Sequence, residues 1–259
     1  MMSFCKEETT LDDFLGGNLQ IYQPIDGYRA ATDPVFLGAA VDAKPMDRVL
    51  ELGCGVGVAS LCLKSRLPDI DITGLEIQSK YVELARLNAI HNGISFDVIE
   101  GDLAQMPVVL RSQNFDHVIA NPPFFGKGAV SRPQNAGKST AHVLEAVMGV
   151  WIDVGLRRLR PNGTITIIQL VEQLPDILTS LSGRAGDIQV LPLASRRGRA
   201  AKRVIVRARK SIRTPMKLLP AFHVHERDKH LQGISDYSPL AAAILRDGAA
   251  LAWGTDPQN

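Results

Sequence analysis

Short, largely apolar runs alternate with longer segments of helical periodicity along most of the chain. The runs RVLELG, DITGLEI, FDVIEGD, FDHVIA and GTITIIQL predict five strands. Helices are predicted between them, including SKYVELARLNAIHNG, in which Tyr81, Leu84, Ala85 and Asn88 share a face, and a longer helix over about residues 139–159. Such alternation, with strands that are apolar on both faces, is typical of a parallel sheet covered by helices on both sides.

The N-terminal segment departs from this alternation. Residues 1 to about 20 show no periodicity and are expected to be loosely structured. The segment YRAATDPVFLGAAV then predicts a turn followed by a short helix. We therefore expect residues 1–44 to form an N-terminal extension that packs on a main domain of residues 45–259.

The C-terminal part departs from the alternation as well. DIQVLPLA and KRVIVRARK have strand character with no helix between them, which predicts an antiparallel pair. In the second segment, alternation predicts a half-buried strand whose outer face carries Arg203, Arg207 and Arg209. The predicted fold is therefore α/β, a doubly wound, seven-stranded and mostly parallel sheet with this antiparallel pair.

The segment ELGCGVG joins the strand RVLELG to its helix. Gly53, Gly55 and Gly57 permit a tight turn and a close approach of ligand to backbone. Glu76 ends the following strand, at the position where a ribose is held in doubly wound folds. The G-x-G-x-x-G spacing of a dinucleotide site is absent, because the third glycine is missing.

Acidic side chains near this loop narrow the choice of cofactor. Glu51 precedes the glycines, where a carboxylate repels phosphate and can orient an ammonium group through water or backbone. S-adenosylmethionine fits, because it has an amino-acid end and a ribose but no phosphate. Asp102 follows the third strand and is expected to accept a hydrogen bond from the adenine amine, the alternative being that it caps the next helix.

The stretch NPPFF follows the fourth strand directly, so Asn121 is expected at the ligand crevice beside the cofactor's sulfonium. Pro122 and Pro123 stiffen the backbone. The Asn121 amide oxygen and the Pro122 carbonyl can then act as two fixed acceptors for a planar NH₂ group, which leaves its nitrogen lone pair free to attack a methyl. Phe124 can stack on the ring that carries the amine.

These motifs together carry a family resemblance. VLELGCGVG, the acid in GLEI, EGD and NPPF resemble the class I S-adenosylmethionine-dependent methyltransferases, which have a Rossmann-like fold and act on exocyclic or amide nitrogen. With YQPIDGYRAATDPVFLGAAV added, the chain is similar from about Asn18 onward to the bacterial tRNA(Val) adenine-37 N6-methyltransferase family. The resemblance implies catalytic roles for Asn121, Pro122 and Phe124.

The same resemblance places further residues near the cofactor. It implies that Glu76 holds the ribose and that Arg29, Thr32 and Asp33 lie near the methionine end. For Thr32 and Asp33 the alternative is capping of the helix before Pro34. Many relatives have tyrosine where Phe124 stands, and phenylalanine retains the stacking.

Charge is distributed unevenly along the chain, whose formal net charge is +2. Residues 188–225 hold ten Lys or Arg and no Asp or Glu, and the rest of the chain has 19 basic and 27 acidic residues. A basic segment on an acidic body indicates a polyanionic partner, here expected to be tRNA. The candidate RNA-binding residues are Arg196, Arg197, Arg199, Lys202, Arg203, Arg207 and Arg209, with Lys127 and Lys138 in a polar loop after NPPFF.

Several alternatives stay open at this point. NPPY-type motifs also occur in protein-glutamine N5-methyltransferases, so the motif indicates nitrogen chemistry more firmly than the substrate. A catalytically silent cofactor-binding module is the second alternative. We expect a cytoplasmic protein with reduced cysteines, no metal, despite His223 and His225, and no membrane span. The sequence does not indicate the oligomeric state.

Overall fold

The structure of the protein is a computed structural model that describes residues 8–123, 140–227 and 236–253, with backbone alone for residues 140–147. Its strands are β1 (Thr9–Phe14), β2 (Leu19–Pro24), β3 (Arg48–Leu52), β4 (Asp71–Glu76), β5 (Asp97–Glu100), β6 (Phe115–Ala120), β7 (Leu159–Leu170), β8 (Ala185–Ala194), β9 (Arg203–Lys210), β10 (Lys217–Leu218) and β11 (Phe222–His223). Its helices are α1 (Thr32–Ala39), α2 (Val58–Arg66), α3 (Ser79–His91), α4 (Val108–Arg111), α5 (Thr140–Arg158), α6 (Leu174–Leu181) and α7 (Pro239–Asp247).

The main sheet has seven principal strands in the order β5-β4-β3-β6-β7-β9-β8. Strands β3 to β7 are parallel to their neighbours, and β9 runs antiparallel to both β7 and β8. The two-residue strands β10 and β11 add to β8 in parallel. The predicted seven-stranded, mostly parallel sheet with an antiparallel C-terminal pair is therefore confirmed, and the two short strands were not predicted.

Helices cover both faces of the sheet. One apolar cluster joins α1, α2, α3 and α7 to one face, with Leu37, Leu61 and Ile205 among its most buried members. The other joins α5 and α6 to the opposite face, with Leu52 and Ile165 fully buried. Such two-sided burial explains why the strands are apolar runs with little alternation.

Strand β9 corrects one prediction. It was expected to be half-buried with a basic outer face, but it lies between β7 and β8, and Ile205 on the supposedly outer face is fully buried. The strand is an interior one because β8 and its short partners extend the sheet beyond it. Two of its arginines, Arg203 and Arg207, contact side chains within the fold, and Arg209 is exposed.

A second correction concerns the N-terminal segment, which was expected to be loosely structured up to about residue 20. Strands β1 and β2 pair as an antiparallel hairpin instead. The buried amide of Asn88 on α3 holds this hairpin, because its Oδ1 accepts from the Tyr22 backbone N–H at 2.7 Å and its Nδ2 donates to the Tyr22 carbonyl at 3.1 Å. This tertiary contact has no local signal in the exposed residues of β1. Within the described ranges, no helix is both long and apolar enough to cross a membrane.

Candidate active site

The strand order reverses between β3 and β6, and a cavity of about 350 Å³ opens at the carboxyl ends of the parallel strands there. This is where ligands bind in doubly wound sheets. The carboxyl ends of β3, β4, β5 and β6 and the loops after them supply Gly53, Gly55, Glu76, Asp102 and Asn121, and other parts of the chain add Tyr28, Tyr81 and Trp151. The structure thus brings together five of the residues predicted to form the site.

The three glycines of the loop have left-handed φ values of +62°, +54° and +89° for Gly53, Gly55 and Gly57. A Cβ on Gly53 would lie 2.5 Å from Cη2 of Trp151, and one on Gly57 would lie 2.9 Å from Cε1 of Phe96. At Gly55 nothing lies within 4 Å, because its Cα faces the open cavity. The first and third glycines therefore allow the loop to pack, and the second leaves room for a ligand.

Glu76 fixes this loop from the end of β4. One carboxylate oxygen accepts from the Gly55 backbone N–H at 3.0 Å, and the other accepts from the Gln78 N–H at 2.9 Å. Each carboxylate oxygen has more than one acceptor site, so this buried carboxylate can still receive the hydroxyls of a ribose. Asp102 also lines the cavity, and its Oδ1 accepts from Ala104 N–H at 2.8 Å, so the predicted capping alternative does occur.

Glu51 lies behind the loop and outside the cavity wall. Its carboxyl accepts hydrogen bonds from both the backbone N–H and the hydroxyl of Ser60, which tie β3 to α2. Burial raises the pKa of Glu51 to about 8, although the Ser60 hydrogen bonds oppose that shift. Any effect of Glu51 on the cofactor's ammonium therefore passes through the loop backbone or water.

Of the two predicted acceptor residues, Asn121 lines the cavity, and Pro122, which follows it, is buried and not among the lining residues. The Oδ1 atom of Asn121 is buried and has no hydrogen-bond partner among the described residues, and its Nδ2 donates to the Tyr28 hydroxyl at 3.4 Å. A buried acceptor left unpaired costs about 1–3 kcal/mol, which a bound donor would recover. The Pro122 carbonyl accepts from Nε2 of Gln169 at 3.0 Å. Phe124, Lys127 and Lys138 lie outside the described residues.

Sequence reasoning missed three side chains at this site, namely Tyr28, Trp151 and Gln169. Burial raises the pKa of Tyr28 to about 12, with a smaller contribution from nearby carboxylates, so its hydroxyl stays neutral. Trp151 comes from α5 and forms part of the cavity wall. Gln169 is the one position with a usable signal, because it is a polar residue in the apolar run GTITIIQL.

The residues expected near the methionine end do not line the cavity. Arg29 forms an ion pair with Asp12 and donates to the Pro24 carbonyl at 2.9 Å. Asp33 accepts from Nε of Arg203 at 2.8 Å. Thr32 is the first residue of α1, and no side chain caps that helix, so the capping alternative is wrong.

Three of the predicted RNA-binding arginines are engaged within the fold. Arg196 pairs with buried Asp236 at 2.7 Å and is 12% exposed. Arg203 pairs with Asp33, as described above. Arg207 stacks at 4.1 Å over the Trp253 ring and donates to Gln189 at 3.0 Å. We therefore remove these three arginines from the candidate RNA surface.

The other predicted arginines and lysine of this region are exposed. Arg197, Arg199 and Lys202 lie in the loop between β8 and β9, which we call the basic loop (residues 195–202). Because Arg203 pairs with Leu170 at the carboxyl end of β7, the basic loop is at the same sheet edge as Asn121. Arg209 pairs with Thr164, so it lies towards the opposite edge, about 20 Å further along the strand.

No group of three or more His, Cys, Asp or Glu side chains in the described part of the chain is placed to hold a metal ion. His225 instead contacts Asp236 at 2.9 Å and stacks on Tyr237.

Substitutions at Gly53 and Gly55 should affect stability and cofactor affinity to different degrees. Gly53→Ala and Gly55→Ala both force alanine into the left-handed region, which costs about 1–2 kcal/mol. Gly53→Ala also drives a methyl into Trp151, so thermal unfolding should show the larger drop in Tm. Gly55→Ala places its methyl in the cavity, so calorimetric titration should show that the affinity for S-adenosylmethionine falls by about tenfold or more. Wild-type affinity in Gly55→Ala would contradict this assignment.

Glu51 predicts a pH dependence of stability. Its pKa is higher in the folded protein, about 8, than the ordinary value of 4.5, so the folded state keeps a proton that the unfolded state loses. The stability contributed by this carboxyl is therefore complete below about pH 4.5 and is lost as the pH rises to about 8. Urea unfolding of wild type and Glu51→Gln should show the wild type losing stability relative to the variant across this range. A constant difference would contradict the burial of a protonated Glu51.

Comparison with known proteins agrees with this geometry. The methyltransferase small domain family model matches residues 34–173, more than half of the chain. A Porphyromonas gingivalis tRNA1(Val) (adenine(37)-N6)-methyltransferase is 28% identical over 178 residues, which is 63% of this chain and 69% of that relative.

Two solved structures share the fold. A predicted O-methyltransferase from Agrobacterium tumefaciens has a TM-score of 0.69 at 22% identity and covers 86% of this chain and 100% of its own. The T. thermophilus 16S rRNA N2 G1207 methyltransferase in complex with AdoMet and guanosine has a TM-score of 0.55 at 18% identity. The match covers 78% of this chain and 50% of that chain. The chain therefore belongs to the methyltransferase small domain family, and it is an S-adenosylmethionine-dependent N-methyltransferase.

Proposed function

We propose that this protein methylates the exocyclic N6 of an adenine in tRNA, and that the adenine is position 37 in the anticodon loop of a valine tRNA. The observation that carries the proposal is the Oδ1 of Asn121, a cavity residue, because this atom is buried and has no hydrogen-bond partner among the described residues. The curated relatives with this activity support the choice of tRNA. With tRNA as the substrate, we also propose a cytoplasmic location.

The cavity residues fit the cofactor on structural grounds. Gly55 leaves its side of the cavity open, and Glu76 presents a buried carboxylate at the position expected for a ribose. Asp102 lines the same cavity and is the candidate partner of the adenine amine. When bound, S-adenosylmethionine supplies an electrophilic methyl group on a sulfonium.

The acceptor pair determines which nucleophile is presented to that methyl. An adenine amine has two N–H groups, and the Asn121 oxygen and Pro122 carbonyl can each accept one of them. Both hydrogen bonds strengthen as the nitrogen becomes tetrahedral and positive, so the pair favours the transition state over the ground state. The nitrogen loses one proton to solvent after it gains the methyl. We expect Phe124 to stack on the adenine, as the motif predicts.

The basic loop supplies a surface for the tRNA backbone. Arg197, Arg199 and Lys202 are exposed, and the described residues offer their side chains no ion pair. An anticodon-loop adenine is single-stranded and costs little to splay out, but the surrounding phosphates still require cations. Placement of these cations at the same edge as Asn121 supports RNA as the acceptor.

Nucleoside mass spectrometry tests this proposal. Bulk tRNA from cells that lack the modification is incubated with purified protein and S-adenosylmethionine, then digested. We expect N6-methyladenosine to rise with wild type and to disappear with Asn121→Ala, while calorimetry shows that the variant still binds the cofactor. Methyl label on a protein fraction and none on RNA would replace the proposal with protein-glutamine methylation, and transfer to neither would indicate a silent binding module.

Charge reversal tests the basic loop. Arg199→Glu should weaken tRNA binding several-fold and lower the slope of log K against log salt by about 1, because one phosphate contact is lost. Arg209→Glu is the matched control, since it makes the same charge change on an exposed arginine towards the opposite sheet edge. Cofactor affinity should be unchanged in both variants. Equal loss of tRNA affinity in both would contradict the placement of the RNA at the basic loop.

A further inference from the structure

We propose that Gln169 is a positioning residue for methyl transfer, because its side chain holds the Pro122 carbonyl in the orientation that accepts the target amine. This inference rests on the proposed nitrogen chemistry and extends it to a residue outside the NPPF motif. Gln169 does not line the cofactor cavity, so it acts through Pro122 and not on the reacting atoms.

The hydrogen bonds of Gln169 fix its side chain at both ends. Gln169 is 1% exposed, and its Nε2 donates to the Pro122 carbonyl at 3.0 Å. Its Oε1 accepts from the Leu170 backbone N–H at 2.8 Å, which determines which way the amide faces. A buried amide costs free energy unless such bonds are made, and both ends of this one are paired.

The position of Gln169 follows from the sheet. The pairing of β6 with β7 ends at Ala120 and Ile167, and Asn121 to Pro123 continue beyond it. Pro122 and Pro123 have no backbone N–H, so these two residues cannot donate to β7 as strand residues would. The side chain of Gln169, two residues past the end of the pairing, donates to the Pro122 carbonyl and so connects the proline segment to β7 beyond the ladder.

The Pro122 carbonyl can accept a second hydrogen bond besides the one from Gln169, and this connects the Gln169 contact to the reaction. A carbonyl oxygen has two lone pairs, and Gln169 occupies one of them. The other is left for an N–H of the target amine. An acceptor held in this way needs no rearrangement when the substrate binds, and small misplacements of such groups reduce the rate strongly.

Two substitutions separate positioning from simple packing. Gln169→Met keeps the length of the side chain and has no donor at any pH. Gln169→Glu keeps the shape, and its carboxyl regains an O–H donor when it is protonated. Because a buried carboxyl has a raised pKa, protonation should occur within the accessible pH range.

The experiment is steady-state methyl transfer measured across pH, normalised to wild type. The acceptor is whichever fraction, tRNA or protein, the wild type methylates, so failure of the tRNA proposal changes the acceptor and leaves this test intact. We expect kcat to fall by roughly tenfold or more in Gln169→Met at every pH. Gln169→Glu should lose a similar factor at high pH and recover towards wild type as the pH falls. Cofactor Kd should be unchanged in both.

Gln189→Glu is the matched control, because Gln189 lies on β8 and binds Arg207 far from Pro122. Its pH profile should follow wild type. The proposal is overturned if Gln169→Met retains wild-type kcat, or if Gln169→Glu shows no recovery at low pH relative to Gln189→Glu. If Gln169→Met does not fold, as judged by circular dichroism and Tm, the Gln169→Glu profile decides the question.

Discussion

The reversal of strand order between β3 and β6 is the constraint on which the site depends. Because both strands are parallel and adjacent, their carboxyl ends release the chain at one edge of the sheet. Gly53 and Asn121 are the first residues after those ends, so the cofactor loop and the acceptor motif face the same crevice although they are far apart in sequence. The topology of the sheet therefore brings the cofactor loop and the motif expected to hold the methyl acceptor together, and the local turns adjust only the distance between them.

The chain is held rigid on the two sides of the crevice by different structural features. On the cofactor side, left-handed glycines let the loop pack against Trp151 and Phe96, and Glu76 joins the Gly55 N–H of the loop to the Gln78 N–H after β4. On the acceptor side, two prolines remove backbone freedom, and Gln169 on β7 donates a hydrogen bond to the Pro122 carbonyl. The Asn121 Oδ1 is buried and has no hydrogen-bond partner among the described residues, and this is where an amine is expected.

The parts of this structure that were predictable are those with a local signal. Apolar runs predicted β3 to β7, and the position of Glu76 relative to the glycines predicted the cofactor loop. The hairpin of β1 and β2 was missed because it is held by buried Asn88 from α3, a tertiary contact that leaves no periodicity in exposed residues. The burial of β9 was missed because alternation does not reveal that an apolar cluster covers each face of the strand, one containing Ile205 and the other Val204 and Val206. Pairing of Arg196, Arg203 and Arg207 depends on Asp236, Asp33 and Trp253, which are distant in sequence.

The central claim is that the Asn121 oxygen receives the exocyclic amine of the acceptor base. A double-mutant cycle measures this directly, by equilibrium binding with S-adenosylhomocysteine present to prevent turnover. The RNA carries either adenine or purine, which lacks the amine, at the methylated position, and the protein is wild type or Asn121→Ala. The account predicts that removing the amine weakens wild-type binding by roughly tenfold and weakens Asn121→Ala clearly less, because only the hydrogen bond to Pro122 is left to lose in the variant. Equal weakening in both proteins would show that Asn121 does not contact the amine, and would contradict the account.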